Sequence, residues 1–206
     1  LMESLQITLW SVFFLVPTGR GKLSDLLNAD EFERVFARLY TLSKTASFDI
    51  KTTEAQHYRR FLLQQRVAER KSSTGTTGSQ QKAADAIGRA PRGLNDGKGF
   101  VFVSHTGEVF PSGFMPLSAG NIRQQELAAI YRDSPLFRSL RDTAMLEGKC
   151  GACEFKEICG GSRSRAYALT GNPNGEEPCC SYIPKGYIQP PLSIKTAFTL
   201  HVLQGA

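Results

Sequence analysis

Five cysteines crowd into the segment from Cys150 to Cys180, and the chain has no others. Cys150 and Cys153 stand at C-x-x-C spacing, Cys159 follows after five residues, and Cys179-Cys180 closes the segment. Four thiolates gathered this closely can build a tetrahedral thiolate site for zinc or hold an iron–sulfur cluster. Four-cysteine zinc sites usually carry two C-x-x-C pairs, each a tight knuckle around one small ion. Here there is one such pair, and a long gap separates Cys159 from the last two cysteines. A cubane cluster is wider than an ion and tolerates this uneven spacing. Gly160 and Gly161 follow Cys159 directly and would let the backbone approach an inorganic core and aim N–H groups at sulfur. Arg163 and Arg165 come next, as cations that would offset the negative charge of a thiolate cluster. A structural zinc knuckle remains the alternative. A disulfide framework fits less well, because residues 1–149 contain no cysteine to staple.

The run Cys150-x-x-Cys153-x5-Cys159-Gly-Gly-Ser-Arg-x-Arg-Ala-Tyr-x-x-x-Gly, followed by Pro178-x-Cys180, resembles the auxiliary-cluster domain of radical SAM proteins, called the SPASM or twitch domain. The likeness is greatest to the subgroup related to haem-biosynthesis radical enzymes. It covers roughly residues 97 to 185, and residues 7 to 60 more loosely. The resemblance implies that Cys150, Cys153, Cys159 and Cys180 are the ligands of one auxiliary [4Fe-4S] cluster. Cys179 falls on a variable position, with exchange for Cys180 left open. Two departures stand out. In Val109-Phe110-Pro111-Ser112-Gly113 a serine occupies a place where many relatives have cysteine, so a second auxiliary cluster is not expected. The C-x-x-x-C-x-x-C signature of the catalytic cluster is absent, since no cysteine precedes position 150.

The resemblance therefore implies the C-terminal portion of a radical SAM enzyme, inactive by itself and completed by a missing N-terminal half or a partner chain. It also implies an electron donor such as ferredoxin or flavodoxin, a peptide or tetrapyrrole-like substrate, and S-adenosylmethionine bound only by the complete parent. On that surface the resemblance places Arg20, in Pro17-Thr18-Gly19-Arg20-Gly21 at the end of a strand, where a guanidinium could pair a carboxylate; a solvent-facing turn arginine is the plainer reading.

Composition sets the outer limits. The chain has 206 residues, 41% of them hydrophobic, with a formal net charge of +6. That is enough for one large or two small domains. The positive residues are dispersed with no aromatic-basic stripe, so a nucleic-acid partner is not expected. The apolar stretch Leu9 to Val16 is too short to span a bilayer and lacks the flanks of a signal peptide. Clustered thiols without an export signal point to the reducing cytoplasm.

The elements that must position the cysteines read as α/β. Ile7 to Val16 has the short apolar pattern of a buried strand. A helix follows, capped by Asn28 or Asp30, with Phe32, Val35, Phe36, Leu39 and Tyr40 at helical spacing. Ser47 to Thr52 is a second strand and Ala55 to Arg70 a second helix, which makes a parallel β-α-β-α unit. By resemblance, residues 1–70 are the end of a partial (β/α)6 barrel, with exposed apolar edges. Thr52, Glu54 and His57 beyond the second strand could line a substrate pocket, though a lone histidine is more commonly a packed or surface group. Residues 71–98 are poor in large apolar side chains and are expected to form a flexible linker or loop, either a passive insertion or a lid. Residues 99–185 form the small α+β cluster domain. It opens with a β-hairpin from Phe100–Ser104 to Val109–Phe110, continues with helices at Glu126–Arg132 and after Ser134-Pro135, and ends with a helix from Ser162 stopped by Gly171. Residues 186–206 are a tail.

Overall fold

A computed structural model describes residues 2–72 and 93–188. The first unit is built on two parallel strands, β1 (Leu9–Phe13) and β2 (Asp49–Thr53), in register from Leu9 against Asp49 to Phe13 against Thr53. β1 is shorter than the expected Ile7–Val16 run, and β2 starts two residues and ends one residue later than the expected Ser47–Thr52. Beyond Phe13 the chain keeps one ladder bond, from the Phe14 N–H to the Thr53 carbonyl (3.0 Å), while Phe14 and Val16 stay buried.

Between the strands runs α1 (Ala29–Ser43). Its start is a capping box: Asn28 Oδ1 accepts from the Glu31 N–H (2.9 Å), and Glu31 Oε2 accepts from the Asn28 N–H (2.8 Å). Two of the otherwise orphaned N-terminal donors are thereby satisfied, and the acids Asp30 and Glu31 favour the positive end of the helix dipole. Phe32, Phe36 and Leu39 recur on one face and bury it. They meet Phe14, Ala55, Tyr58, Phe61 and, from far along the chain, Cys179 in one apolar core. Phe14 stacks on Phe32 with ring centroids 4.8 Å apart. Phe13, by contrast, is 55% exposed.

After β2 the backbone turns through Glu54, whose φ of 58° is rare for a residue with a side chain. The next helix, α2 (His57–Ser72), therefore begins two residues later than the sequence pattern predicts.

The second unit carries an antiparallel sheet of β3 (Phe102–Val103), β4 (Glu108–Phe110) and β5 (Gly120–Asn121), in that order. The expected hairpin is β3–β4. Gly107 sits in its turn at φ 90°, where a Cβ would come within 2.7 Å of Asn121 Oδ1. The third strand has only two residues and no alternation for sequence reasoning to detect. Two short helices, α3 (Leu127–Asp133) and α4 (Pro135–Arg141), cover the sheet through Ile130 and Phe137, which pack on Val109. Ser134 precedes Pro135 without a side-chain cap, so proline's fixed φ at the first helical position starts α4. Then come α5 (Gly148–Ala152), which the sequence does not announce, and α6 (Arg163–Thr170). Gly171 ends α6 in the left-handed conformation, φ 75°.

Most of the predicted linker, and the tail from 189, lie outside the described residues. The end of that linker is ordered: residues 95–98 form a small turn in which Asn95 and Asp96 are buried. The architecture is thus a mixed helix–strand fold with two small sheets. Among the described residues no helix is long and apolar enough to cross a membrane.

Replacing Phe36 by Ala is expected to cost about 3–5 kcal/mol, because it opens a cavity among packed rings. Asn28→Ala is expected to cost only about 1 kcal/mol, the worth of a cap. Urea unfolding followed by circular dichroism measures both, and a larger loss for Asn28→Ala would contradict this account of the core.

Candidate metal centre

Cys150, Cys153, Cys159 and Cys180 line one cavity, whose empty space including its open mouth is about 360 Å³. All five cysteines are free thiols. Cys150 sits in α5 and Cys153 caps its end, so a single short turn of helix delivers the C-x-x-C pair. Lys156 Nζ donates to the Gly151 carbonyl (3.2 Å) and clips the following loop onto that helix.

Cys159 is held from the other unit. Arg59 on α2 donates to the carbonyls of Ile158 (3.1 Å) and Leu94 (2.8 Å). Asn95 Nδ2 donates to the Gly161 carbonyl (2.7 Å), and Asn95 Oδ1 in turn accepts from Gln56 Nε2 (3.0 Å). Gly160 and Gly161 both have φ 67°. A Cβ on Gly161 would lie 2.6 Å from Glu177 Cβ and 2.7 Å from Arg163 Nη2, so only glycine fits there.

The sulfurs receive donors. The Glu177 N–H points at Cys150 Sγ (3.2 Å), the Phe155 N–H at Cys153 Sγ (3.4 Å) and the Gly161 N–H at Cys159 Sγ (3.4 Å). Arg163 Nη2 lies 3.8 Å from Cys150 Sγ and Arg60 Nη2 3.9 Å from Cys180 Sγ. Lys149 and Lys156 also line the cavity, and Lys149 Nζ donates to the Cys180 carbonyl (2.7 Å). Burial pushes the thiols up, Cys180 to about 11 against the ordinary 9.0, with the Arg60 charge pulling the other way. Cys150 is raised for the same reason, opposed by Arg163. Four thiolates in this space need a compensating cation, which is what iron or zinc supplies.

The adjacent cysteines part company. Cys180 lines the cavity, whereas Cys179 is 2% exposed and packs in the Phe14–Phe32–Phe36 core. Burial lifts its thiol to about 12.

Several expectations change place. Arg165 does not face the sulfurs as the sequence pattern suggested. Its guanidinium is fully buried, donating from Nε to the Leu15 carbonyl (3.1 Å), from Nη1 to Glu177 Oε2 (3.0 Å) and from Nη2 to the Glu54 carbonyl. Arg60 from α2 supplies the cation instead; its i, i+3 partner on the cavity, His57, opens that helix. Glu54 is turned toward the cysteine unit, with Oε2 accepting from Ser162 Oγ (2.6 Å). Burial and the nearby Asp96 hold its carboxyl above the usual range. Thr52 is half-buried and bonded to the Ala55 carbonyl (3.4 Å). Arg20 is exposed in the turn after β1 and is not among the cavity-lining residues, and His105 is exposed. Ser112 is buried, its hydroxyl paired with that of Ser164 (2.7 Å).

Glu177 was missed by the sequence reading, being one acid among many. It is 0% exposed and accepts from the N–H groups of Ser162 (2.7 Å) and Cys179 (3.0 Å). Burial alone would raise its carboxyl, but Arg165 and the backbone donors hold it down at about 2. Its only sequence signal is its place just before Pro178-x-Cys180.

Residues 95–154 match the family model of SPASM, an iron–sulfur cluster-binding domain. An AdoMet-dependent heme synthase of Methanosarcina barkeri is 42% identical over 185 residues, 89% of this chain and 51% of the relative. One of Nitratidesulfovibrio vulgaris is 41% identical over 187 residues, 90% of this chain and 49% of the relative. A PqqA peptide cyclase of Methylocella silvestris is 36% identical over 99 residues, 47% of this chain and 26% of the relative. The chain thus carries a match to a SPASM iron–sulfur domain and is similar over most of its length to AdoMet-dependent heme synthases. It spans about half the length of the heme synthases it matches.

Glu177→Ala strands a buried guanidinium and is expected to cost the metal-free chain about 3–5 kcal/mol. Arg165→Met combined with Glu177→Leu removes both charges and is expected to cost less than Glu177→Ala alone. Urea denaturation of the two variants decides, and a double variant as unstable as the single one would refute the pairing argument.

Proposed function

We propose that Cys150, Cys153, Cys159 and Cys180 hold one [4Fe-4S] cluster, and that this chain is the auxiliary-cluster portion of a radical SAM enzyme. The observation that carries the reading is the convergence of four thiols from three separate segments on one cavity, with backbone N–H groups on three of the sulfurs and a cationic rim. Among the described residues, no three His, Cys, Asp or Glu groups are set as a single metal ion requires. The single C-x-x-C pair and a cavity lined by all four thiols support a wider inorganic core over one zinc.

Such a cluster supplies one-electron redox chemistry when bound. The chain's own residues hold it, neutralise it and screen it. Arg60, Arg163, Lys149 and Lys156 balance its charge, and the N–H donors stabilise charge on sulfur. Four thiolate ligands leave no iron position open, which favours electron relay over direct ligation of substrate. On this reading β1–α1–β2–α2, within residues 1–70, is the end of a partial (β/α)6 barrel, residues 99–185 are the cluster domain, and Arg20 lies on the S-adenosylmethionine side. The radical centre comes from a further portion of the protein or a partner chain, electrons from a ferredoxin or flavodoxin, and the substrate is a tetrapyrrole, as the heme synthase relatives favour, rather than a peptide. A thiolate centre of this kind belongs in the reducing cytoplasm.

Anaerobic reconstitution tests this. The chain is expected to bind about four irons with a broad absorbance near roughly 400 nm that bleaches with dithionite. Cys180→Ser is expected to lose or destabilise the cluster, while Cys179→Ser keeps the full iron content at some cost in stability. A colourless chain holding one zinc, or iron lost equally in both variants, would overturn the assignment.

A further inference from the structure

His57 opens α2 at the wall of the cavity. It is 0% exposed, and among the described residues neither Nδ1 nor Nε2 has a hydrogen-bond partner. Its ring rests against Phe32 and Phe36, with centroids 4.9 and 4.8 Å away. Glu177, Arg165, Arg60 and Lys149 are its charged neighbours, yet none of them bonds to it. Buried polar groups are nearly always bonded, because an unpaired donor costs about 1–3 kcal/mol. Neutral or charged, an imidazole carries at least one N–H. The residue also lines the cavity shared by the four cysteines.

We infer that His57 donates an N–H hydrogen bond to a sulfur of the cluster, and thereby raises its reduction potential. This rests on the four-thiolate assignment above. Cluster sulfurs carry negative charge and accept hydrogen bonds, and each added electron increases that charge. A fixed donor therefore stabilises the reduced form more than the oxidised one. Phe32 and Phe36 hold the ring in place, so the donor is fixed by packing. His57 is a positioning and tuning residue, since it bonds to sulfur and not to iron.

The test uses the full chain, reconstituted anaerobically. Iron and sulfide content and the dithionite-bleached absorbance are read first. If no iron–sulfur cluster forms, the underlying assignment fails and that failure is visible before His57 is examined. With the cluster in place, chain carrying 15N-imidazole histidine is reduced and examined by pulsed EPR. A weak 15N coupling of hydrogen-bonded size is expected, and it is expected to vanish in His57→Phe. A potentiometric titration of His57→Phe is expected to show a reduction equilibrium shifted several-fold to tenfold toward the oxidised form, tenfold being about 59 mV for one electron. His57→Gln keeps an N–H donor and is expected to restore most of the potential. Four irons with an unchanged potential in His57→Phe would overturn the inference, as would the strong coupling of an iron-bound imidazole. Should His57→Phe fail to hold iron, absence of any 15N coupling in the unsubstituted chain overturns it, and presence upholds it.

Discussion

The buried ion pair between Arg165 and Glu177 is the contact on which the other parts of the structure lean. Both side chains are out of water, at 0% and 1% exposure. A charge in that position must be saturated on every side or it destabilises the fold. The guanidinium therefore takes the Leu15 and Glu54 carbonyls from the β1–β2 unit and lies 4.8 Å from the face of Phe32. The carboxylate takes the N–H groups of Ser162 and Cys179. One pair thus ties the end of β1, the turn after β2, the start of α6 and the closing cysteine segment together.

That tie explains why the cavity lined by four cysteines forms at a seam. The residue that accepts from Arg165 also offers its own N–H to Cys150, and the last two cysteines follow it two and three residues on. The unusual backbone at Glu54, φ 58°, is held by Arg165 on its carbonyl and Ser162 on its carboxylate. Such a conformation costs of order 1–3 kcal/mol and persists only where its surroundings over-determine it. It turns the chain so that α2 begins with His57 and Arg60 on the cavity and Arg59 on the Cys159 loop. The β-α-β-α unit is thereby part of the cysteine site.

The division between Cys179 and Cys180 follows from the same geometry. Residues 178 and 179 form a turn in which the Cys180 N–H donates to the Glu177 carbonyl (3.4 Å). With the Cys179 N–H bonded to Glu177, one thiol falls into the phenylalanine core and the other into the cavity.

Much of this was readable in the residues themselves. The cysteine spacing, the paired glycines, a helix cap at Asn28 or Asp30 and the 3.6-residue repeat of Phe32, Phe36 and Leu39 are local patterns, and local patterns survive without knowledge of the fold. The SPASM relationship also followed from them. What sequence could not supply were partners distant along the chain. Arg163 and Arg165 look alike two residues apart, yet one reaches Cys150 and the other is spent on Glu177, since a helix turns successive side chains to different faces. His57, Arg60, Asn95 and Glu177 gain their roles only when α2 and the turn at Asn95 are brought against the cysteine loops. The chain alone states which groups are able to bind metal; the tertiary structure decides which of them meet, because burial obliges each charge and each donor to find its partner.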